Sequence, residues 1–301
     1  MKPESKQFTA QVSGKTITFE TGKLAHQAGG AVTARLGDTM MFAAATMSAE
    51  VRAGIDFFPL TVDYEERMYA GGRIPGSFFR REGRPTEEAI LTARLTDRPL
   101  RPLFPKDLRN DVQVIMYALS ADAENPIDML GINTASAALT ISDVPFGGPV
   151  GAVRIGRIDG KFIVFPTFQE QEVSDLDLRI AGTRDAILMV ECGANELSEE
   201  VMVAAIEFGH QSLIPLIETQ ERMGASVGKT KRAYTPFTVD KSLAVKVYDR
   251  VAATLDEIFN QGLMKNERNS EIDALKDKIV AEIAGDDETI KLPAAAAFDD
   301  A

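Results

Sequence analysis

The chain has 301 residues, 45% of them hydrophobic and 26% charged, with a formal net charge of −12. That is the composition of a globular protein with room for one large domain or two modest ones. The acidic balance excludes a surface that coats nucleic acid or anionic membrane indiscriminately, and no run approaches the ~18 apolar residues of a membrane span or has the layout of a secretory leader, so a cytoplasmic protein without membrane contact is expected.

The first 65 residues read as strands: "KTITFE" alternates, "AVTARLGDTMMFAAAT" is two apolar runs joined at Gly37-Asp38, a dipeptide suited to a tight hairpin, and "FFPLTVDYEE" supplies another. The pattern breaks at "AGGRIPGSFF", where glycines and a proline mark an irregular loop. A helix is predicted from Pro85-Thr86 to about Asp97, with Glu87 and Glu88 in its first turn and Pro99 as its end. "DVQVIMYALS" returns to strand, Ile127 to Ile141 reads as a buried helix, and "GAVRIGRIDGKFIVFP" as a hairpin turning at Asp159-Gly160. Two strands follow, "LDLRIAG" and "AILMVECGA"; the only cysteine, Cys192, is expected to be a buried structural thiol in the second. Ser198 opens a helix that continues to about Met223.

Strands paired through hairpins with helices between them predict an α+β core, mostly antiparallel, over residues 1–224. Residues 225–240 read as a linker, and 241–301 as a small all-α domain built on "KSLAVKVYDRVAATLDEIF" and "RNSEIDALKDKIVAEIAG"; the tail "PAAAAFDDA" carries no cap and simply ends.

Charge is unevenly distributed. From Arg67 to Arg109 the chain is +5, which leaves −17 for the rest, and nine of the ten cations in that segment are arginines, whose planar fork suits phosphate. Phe78 and Phe79 beside Arg80 and Arg81 form a unit able to stack bases and neutralise phosphates; the other reading puts one Phe in the core and the arginines in water. Arg94, Arg98 and Arg101 share one helical face if the helix passes Pro99, and either meet phosphate or pair with Glu87, Glu88 or Asp97. Asp175 and Asp177 alternate along a strand, a spacing compatible with a metal ion and more often a solvated edge. His26 and His210 stand alone and read as structural, with neither a triad nor zinc spacing near them.

"DFFPLTVDYEERMYAGGRIPGSFFRREGRP" followed by "ARLTDRPLRPLFP", "NPIDMLGINTASAAL", "PFGGPVGAVRIG" and "DLDLRIAGT", in this order, resembles the first half of the bacterial polynucleotide phosphorylase family. The resemblance covers essentially the whole chain and implies an RNase PH-like (ribosomal S5 domain 2-like) core followed by the family's all-helical domain. It implies a phosphate-dependent 3′-to-5′ exoribonuclease of mRNA degradation that uses Mg²⁺ and inorganic phosphate, acts on single-stranded RNA, forms a homotrimeric ring and joins other RNA-degradation proteins. The family's second core, KH and S1 domains would then lie outside these 301 residues. Carried over by motif, Phe78 and Phe79 stack on RNA, Arg80 and Arg81 contact its backbone, and Arg98 and Arg101 lie near the same surface. The family's catalytic set belongs to the second core. Here Gln171 stands where the first metal-binding Asp would be, Asp177 at the second and Arg179 at a lysine, while the family's Ser-rich phosphate turn aligns with "AENPID", which has no Ser. A non-catalytic first core with no catalytic residue or metal site of its own is therefore expected, with a stand-alone RNase PH-like RNA-binding scaffold as the alternative.

Overall fold

The computed structural model describes residues 4–52, 54–74, 76, 83–285 and 287–301, the side chains of 288 and 289 aside. The chain divides into two compact units: residues 1–49, 59–106 and 110–233 make the first, and 50–58, 107–109 and 234–301 the second.

In the first unit, β1 (Lys6–Val12), β2 (Lys15–Thr21), β3 (Gly30–Leu36), β4 (Thr39–Met47), β5 (Leu60–Glu66) and β6 (Val112–Ser120) form one sheet in the order β1-β2-β3-β4-β6-β5. Every pair is antiparallel except β5 with β6, which the α1 crossover makes parallel. A second, antiparallel sheet runs β10-β9-β7-β8, from β7 (Gly151–Ile158), β8 (Lys161–Val164), β9 (Leu176–Gly182) and β10 (Ile187–Ala194). Both expected hairpins close on left-handed residues, Gly37 at φ 61° in one and Asp159-Gly160 at 50° and 75° in the other, as tight turns require.

Helix α2 (Asp128–Ile141) packs on β3 and β4 of one sheet, on β7 of the other and on α4 (Glu199–Val227). "DMLGINTASAALTI" is accordingly buried nearly all round, and its polar side chains are satisfied inside: Asn133 grips the Ala152 backbone at both N–H (3.0 Å) and C=O (2.7 Å), and Ser136 accepts from Val150 N–H at 2.8 Å. Helix α1 (Glu87–Leu100) starts at an N-cap where Thr86 accepts from Ala89 N–H, but Pro99 does not end it. A proline one residue from the last helical position deletes a single N–H bond, and Arg101 N–H still reaches Asp97 C=O. A short helix α3 (Phe168–Val173), unforeseen from the sequence, starts at a capping box between Thr167 and Glu170.

The stretch read as one linker is not uniform. Residues 225–227 finish α4, and the next six are strapped to the first unit. Lys231 Nζ donates to the carbonyls of Leu139, Thr140 and Ser142 at 2.9–3.1 Å and so caps the C-terminus of α2, while the Arg232 guanidinium reaches Asp143 at 2.6 Å. Burial pushes the Lys231 ammonium below its ordinary pKa, with Asp143 opposing the shift.

The second unit holds α5 (Lys241–Asn260), α6 (Lys265–Ala284) and α7 (Glu288–Asp299). Its core is Val247, Val251, Ile279, Ala297 and Phe298. The tail that was expected simply to end is therefore helix α7: alanine is the best helix former, and Phe298 buries against α5 and α6. Cys192 is a further correction. It is exposed, because β10 is an edge strand and the apolar run around it keeps only Met189 fully buried. Partial burial and the Asp177 carboxylate raise its thiol pKa, so exposure does not make it an activated nucleophile. Among the described residues no helix is long and apolar enough to cross a membrane.

Candidate nucleic-acid interface

Phe78, Phe79, Arg80 and Arg81 lie outside the described residues. What anchors their loop is described at both ends. On the entry side a 3-10 turn, Met68–Gly71, is tied to the end of β6 by Ala121 N–H to Ala70 C=O at 2.9 Å, and Gly72 at φ 69° closes it with its N–H on the Tyr69 carbonyl at 3.0 Å. On the exit side Thr86 caps α1 while its hydroxyl donates to Glu66 of β5 at 3.4 Å. Between these anchors Ile74 is 87% exposed.

Because α1 passes Pro99, Arg94, Arg98 and Arg101 do share its face, but their surroundings differ. Arg101 is held by Asp97 at 2.9 and 3.0 Å and by the Leu60 carbonyl at 3.1 Å. Arg98 pairs with Glu191 of β10, a partner 93 residues away that sequence proximity did not suggest. Arg94 is exposed.

Arg98 opens a chain of ion pairs along one wall of a cleft of about 560 Å³, formed by α1, the start of α2, α3 and the strands β7, β9 and β10. Glu191 also accepts from Arg179 at 2.9 Å, and Asp128 accepts from Arg179 at 3.1 Å and Arg154 at 3.3 Å. Asp177 accepts from Arg154 at 2.6 and 2.8 Å and lies 3.3 Å from Arg179. The register explains the need for two bridging carboxylates: Arg154 and Arg179 are direct cross-strand partners in β7 and β9, and like charges placed opposite repel. Burial opposes the charge of Arg179, but Asp128, Asp177 and Glu191 outweigh it and raise its pKa. Asp175 does not share the Asp177 site. It precedes β9 and pairs with Arg157, three residues along β7 from Arg154 and so on the other face of the sheet. Gln171 donates its amide to the Pro166 carbonyl at 2.9 Å.

The turn "AENPID" is closed from within. The Asp122 carboxylate accepts from the backbone N–H of Glu124 (2.9 Å), Asn125 (2.8 Å) and Asp38 (3.0 Å) and from the Asn125 amide (2.7 Å). Donors that could cradle an external anion are thus used by an internal one. Burial opposes ionisation of Asp122, yet the Asn125 and Glu124 donors prevail and hold its carboxyl well below the usual carboxylate range. A depressed folded pKa gives stability that is present above the unfolded value of about 4 and is lost as pH falls through the folded one. Asp122→Ala is expected to cost about 1–2 kcal/mol at neutral pH. In urea melts the gap to the unsubstituted protein should narrow steadily in acid, and a gap independent of pH would contradict this assignment.

Residues 13–145 match domain 1 of the 3′ exoribonuclease family and residues 148–212 match domain 2, together about two thirds of the chain. The chain belongs to the 3′ exoribonuclease family. Polyribonucleotide nucleotidyltransferase from Heliobacterium modesticaldum is 51% identical over 273 residues, 91% of this chain and 38% of that protein. The proteins of the same name from Chloroflexus aggregans (50% over 288 residues) and Koribacter versatilis (47% over 290) match 95% and 96% of the chain and 38% and 36% of their own lengths. The chain therefore spans less than two fifths of these relatives and corresponds to their N-terminal part. Among solved structures, rice Rrp46 superposes with a TM-score of 0.56 at 15% identity over 74% of this chain and 96% of that one. The Archaeoglobus fulgidus exosome with RNA bound to the active site gives 0.54 at 19% over 72% and 87%. At such identities the likeness is one of fold, the RNase PH-like α+β core of the 3′ exoribonucleases.

The three positions that the resemblance set against a metal-binding pair and a lysine are accounted for chemically. Gln171 offers an amide turned to a backbone carbonyl, and Asp177 lies between two arginines that Asp128 and Glu191 help to neutralise. This donor set does not fit Mg²⁺, whose octahedral shell needs carboxylate oxygens that are not already committed. Among the described residues no group of three or more His, Cys, Asp and Glu side chains is gathered for a metal. Sequence reasoning missed Asp128, Arg154 and Glu191. The β9–β10 register that pairs Glu191 with Arg179 was the available signal, since it follows from the short connection between those strands.

Proposed function

We propose that this chain is the RNA-guiding part of a phosphate-dependent 3′-to-5′ exoribonuclease of mRNA degradation, and that it has no catalytic site of its own. The observation that supports this most is the cleft wall: where a phosphorolytic site would need available carboxylates and an anion-accepting turn, Asp177 is spanned by Arg154 and Arg179 and the turn is filled by Asp122. In this reading Phe78 and Phe79 stack on single-stranded RNA and Arg80 and Arg81 contact its phosphates. The exposed glycines Gly71, Gly72 and Gly76 and the anchors at Ala70 and Thr86 support that role. Mg²⁺ and inorganic phosphate would serve a second core elsewhere in the full-length protein, which would work in the cytoplasm as a homotrimeric ring alongside other RNA-degradation proteins.

The test is fluorescence-anisotropy titration of a single-stranded oligoadenylate with the 301-residue chain and with Arg80→Ala/Arg81→Ala. Binding that weakens with salt and falls at least tenfold in the double variant is expected. Equal binding by both proteins would overturn the role given to the loop, and no binding by either would overturn RNA guidance by this chain.

A further inference from the structure

We infer that helix α5 of the second unit carries a docking seam for an amphipathic helix of a partner protein, one with basic residues along its flank.

The seam shows in the spacing of apolar side chains along α5. Val247 and Val251 belong to the core of the unit, and Ile258 is buried on the same side of the helix. A second apolar row runs beside this one. Val245, Ala252 and Phe259 lie seven residues apart, with Tyr248 and Leu255 three residues after the first two. That is the a/d pattern of a coiled-coil helix, in which both positions face a partner helix along one stripe. The unit's own packing covers the first row but leaves most of the second open: Val245, Tyr248 and Phe259 are 53–59% exposed, and only Leu255 leans on the core. The two rows together make α5 apolar over more than half of its circumference, where a single packed face needs about 100°.

Charge selects the occupant. The e positions of the pattern, directly after Tyr248 and Leu255, are Asp249 and Asp256. Both are exposed and neither has an ion pair among the described residues, whereas the adjacent Arg250 is already paired with Glu282 of α6. One edge of the seam is therefore a row of uncompensated carboxylates, which Lys or Arg at the e and g positions of a facing helix would complement. Arg268 lies over the Phe259 ring at 5.6 Å and marks the end of the row at the turn into α6. The same carboxylates repel the phosphates of RNA. A second copy of the chain is no better matched. In an antiparallel pair Asp249 and Asp256 would face themselves, and in a parallel one they would face the g positions Ala244, Val251 and Ile258, none of which is a cation.

The experiment uses two labelled synthetic peptides of about three heptads, both with Leu at a and d, one with Lys and the other with Glu at e and g. In fluorescence-anisotropy titrations of the full 301-residue chain the Lys peptide should bind about tenfold more tightly than the Glu peptide. Asp249→Lys/Asp256→Lys should reverse that preference. Glu257→Lys/Asp277→Lys, the same charge change at exposed positions off the seam, should leave it in place. Tyr248→Ser/Phe259→Ser, checked for folding by thermal melting, should weaken the Lys peptide by about tenfold. Equal affinity for the two peptides, or a preference that Asp249→Lys/Asp256→Lys does not move, would overturn the inference. Self-association of the unsubstituted chain in sedimentation equilibrium, abolished by Tyr248→Ser/Phe259→Ser, would put a second copy on the seam instead. Binding present in the 301-residue chain and absent from the full-length protein would assign the seam to the remainder of that protein, and would likewise overturn a separate partner.

Discussion

Gly30→Ala is expected to destabilise the first unit by about 3 kcal/mol or more, the upper range for overpacking, because the added methyl would meet backbone rather than a movable side chain. A Cβ at Gly30 falls inside the contact radius of the Ala138 carbonyl oxygen and within 2.9–3.0 Å of Ser142 Cβ and N. Those atoms belong to the last turn and cap of α2, which cannot retreat: α2 is packed between the two sheets, and its C-terminal carbonyls are bound by Lys231. The control is Gly193→Ala, on the exposed part of β10, where nothing lies within 4 Å; there the change should stay within about 0.5 kcal/mol. Equilibrium urea unfolding of the two variants measures both numbers, and a near-neutral Gly30→Ala would mean that α2 does not rest on β3 as described.

Arg154→Met should cost about 2–3 kcal/mol. Arg154 is only 9% exposed and carries three of the contacts that hold Asp128 and Asp177. Removing one partner of a buried pair commonly costs about 3–5 kcal/mol, because the other charge is left stranded. Two features reduce the figure here: Asp177 is partly in water, and Asp128 keeps its bond to Arg179. Methionine preserves most of the volume, so the loss reports charge rather than a cavity. A double substitution, Arg154→Met with Asp177→Asn, should recover part of the loss. Strict additivity of the two single effects, measured in the same unfolding cycle, would show that the pair is not coupled.

These two sites mark what the sequence made legible. Local chemistry was readable: Gly37-Asp38 and Asp159-Gly160 turned as their left-handed tolerance required, Thr86 and Ser198 capped the helices they precede, and the apolar run of α2 was buried on all sides. Pro99 was misjudged because its cost depends on how many helical bonds follow it, and that number is set by where the next strand receives the chain. Cys192 and α7 were misjudged for a common reason. Burial of an apolar run is decided by which element covers it: β10 has one strand neighbour, whereas the alanine-rich tail has α5 and α6. The charged cleft was the least legible part, since Asp128, Arg154, Arg179 and Glu191 are brought together by pairing across β7, β9 and β10. Proximity in sequence offered Glu87, Glu88 and Asp97 as partners for the α1 arginines; Asp97 pairs with Arg101, whereas Arg98 reaches across to Glu191.

Whether the chain grips RNA and leaves the chemistry to another core is decided by phosphorolysis of a single-stranded oligoadenylate by these 301 residues. The reaction is run with inorganic phosphate and Mg²⁺ and followed by chromatography of nucleoside diphosphates. No diphosphate release is expected from a preparation that still binds the RNA. Release that persists through repurification and disappears in Asp177→Asn would contradict it, and would place a working site in the cleft where Arg154 and Arg179 now enclose that carboxylate.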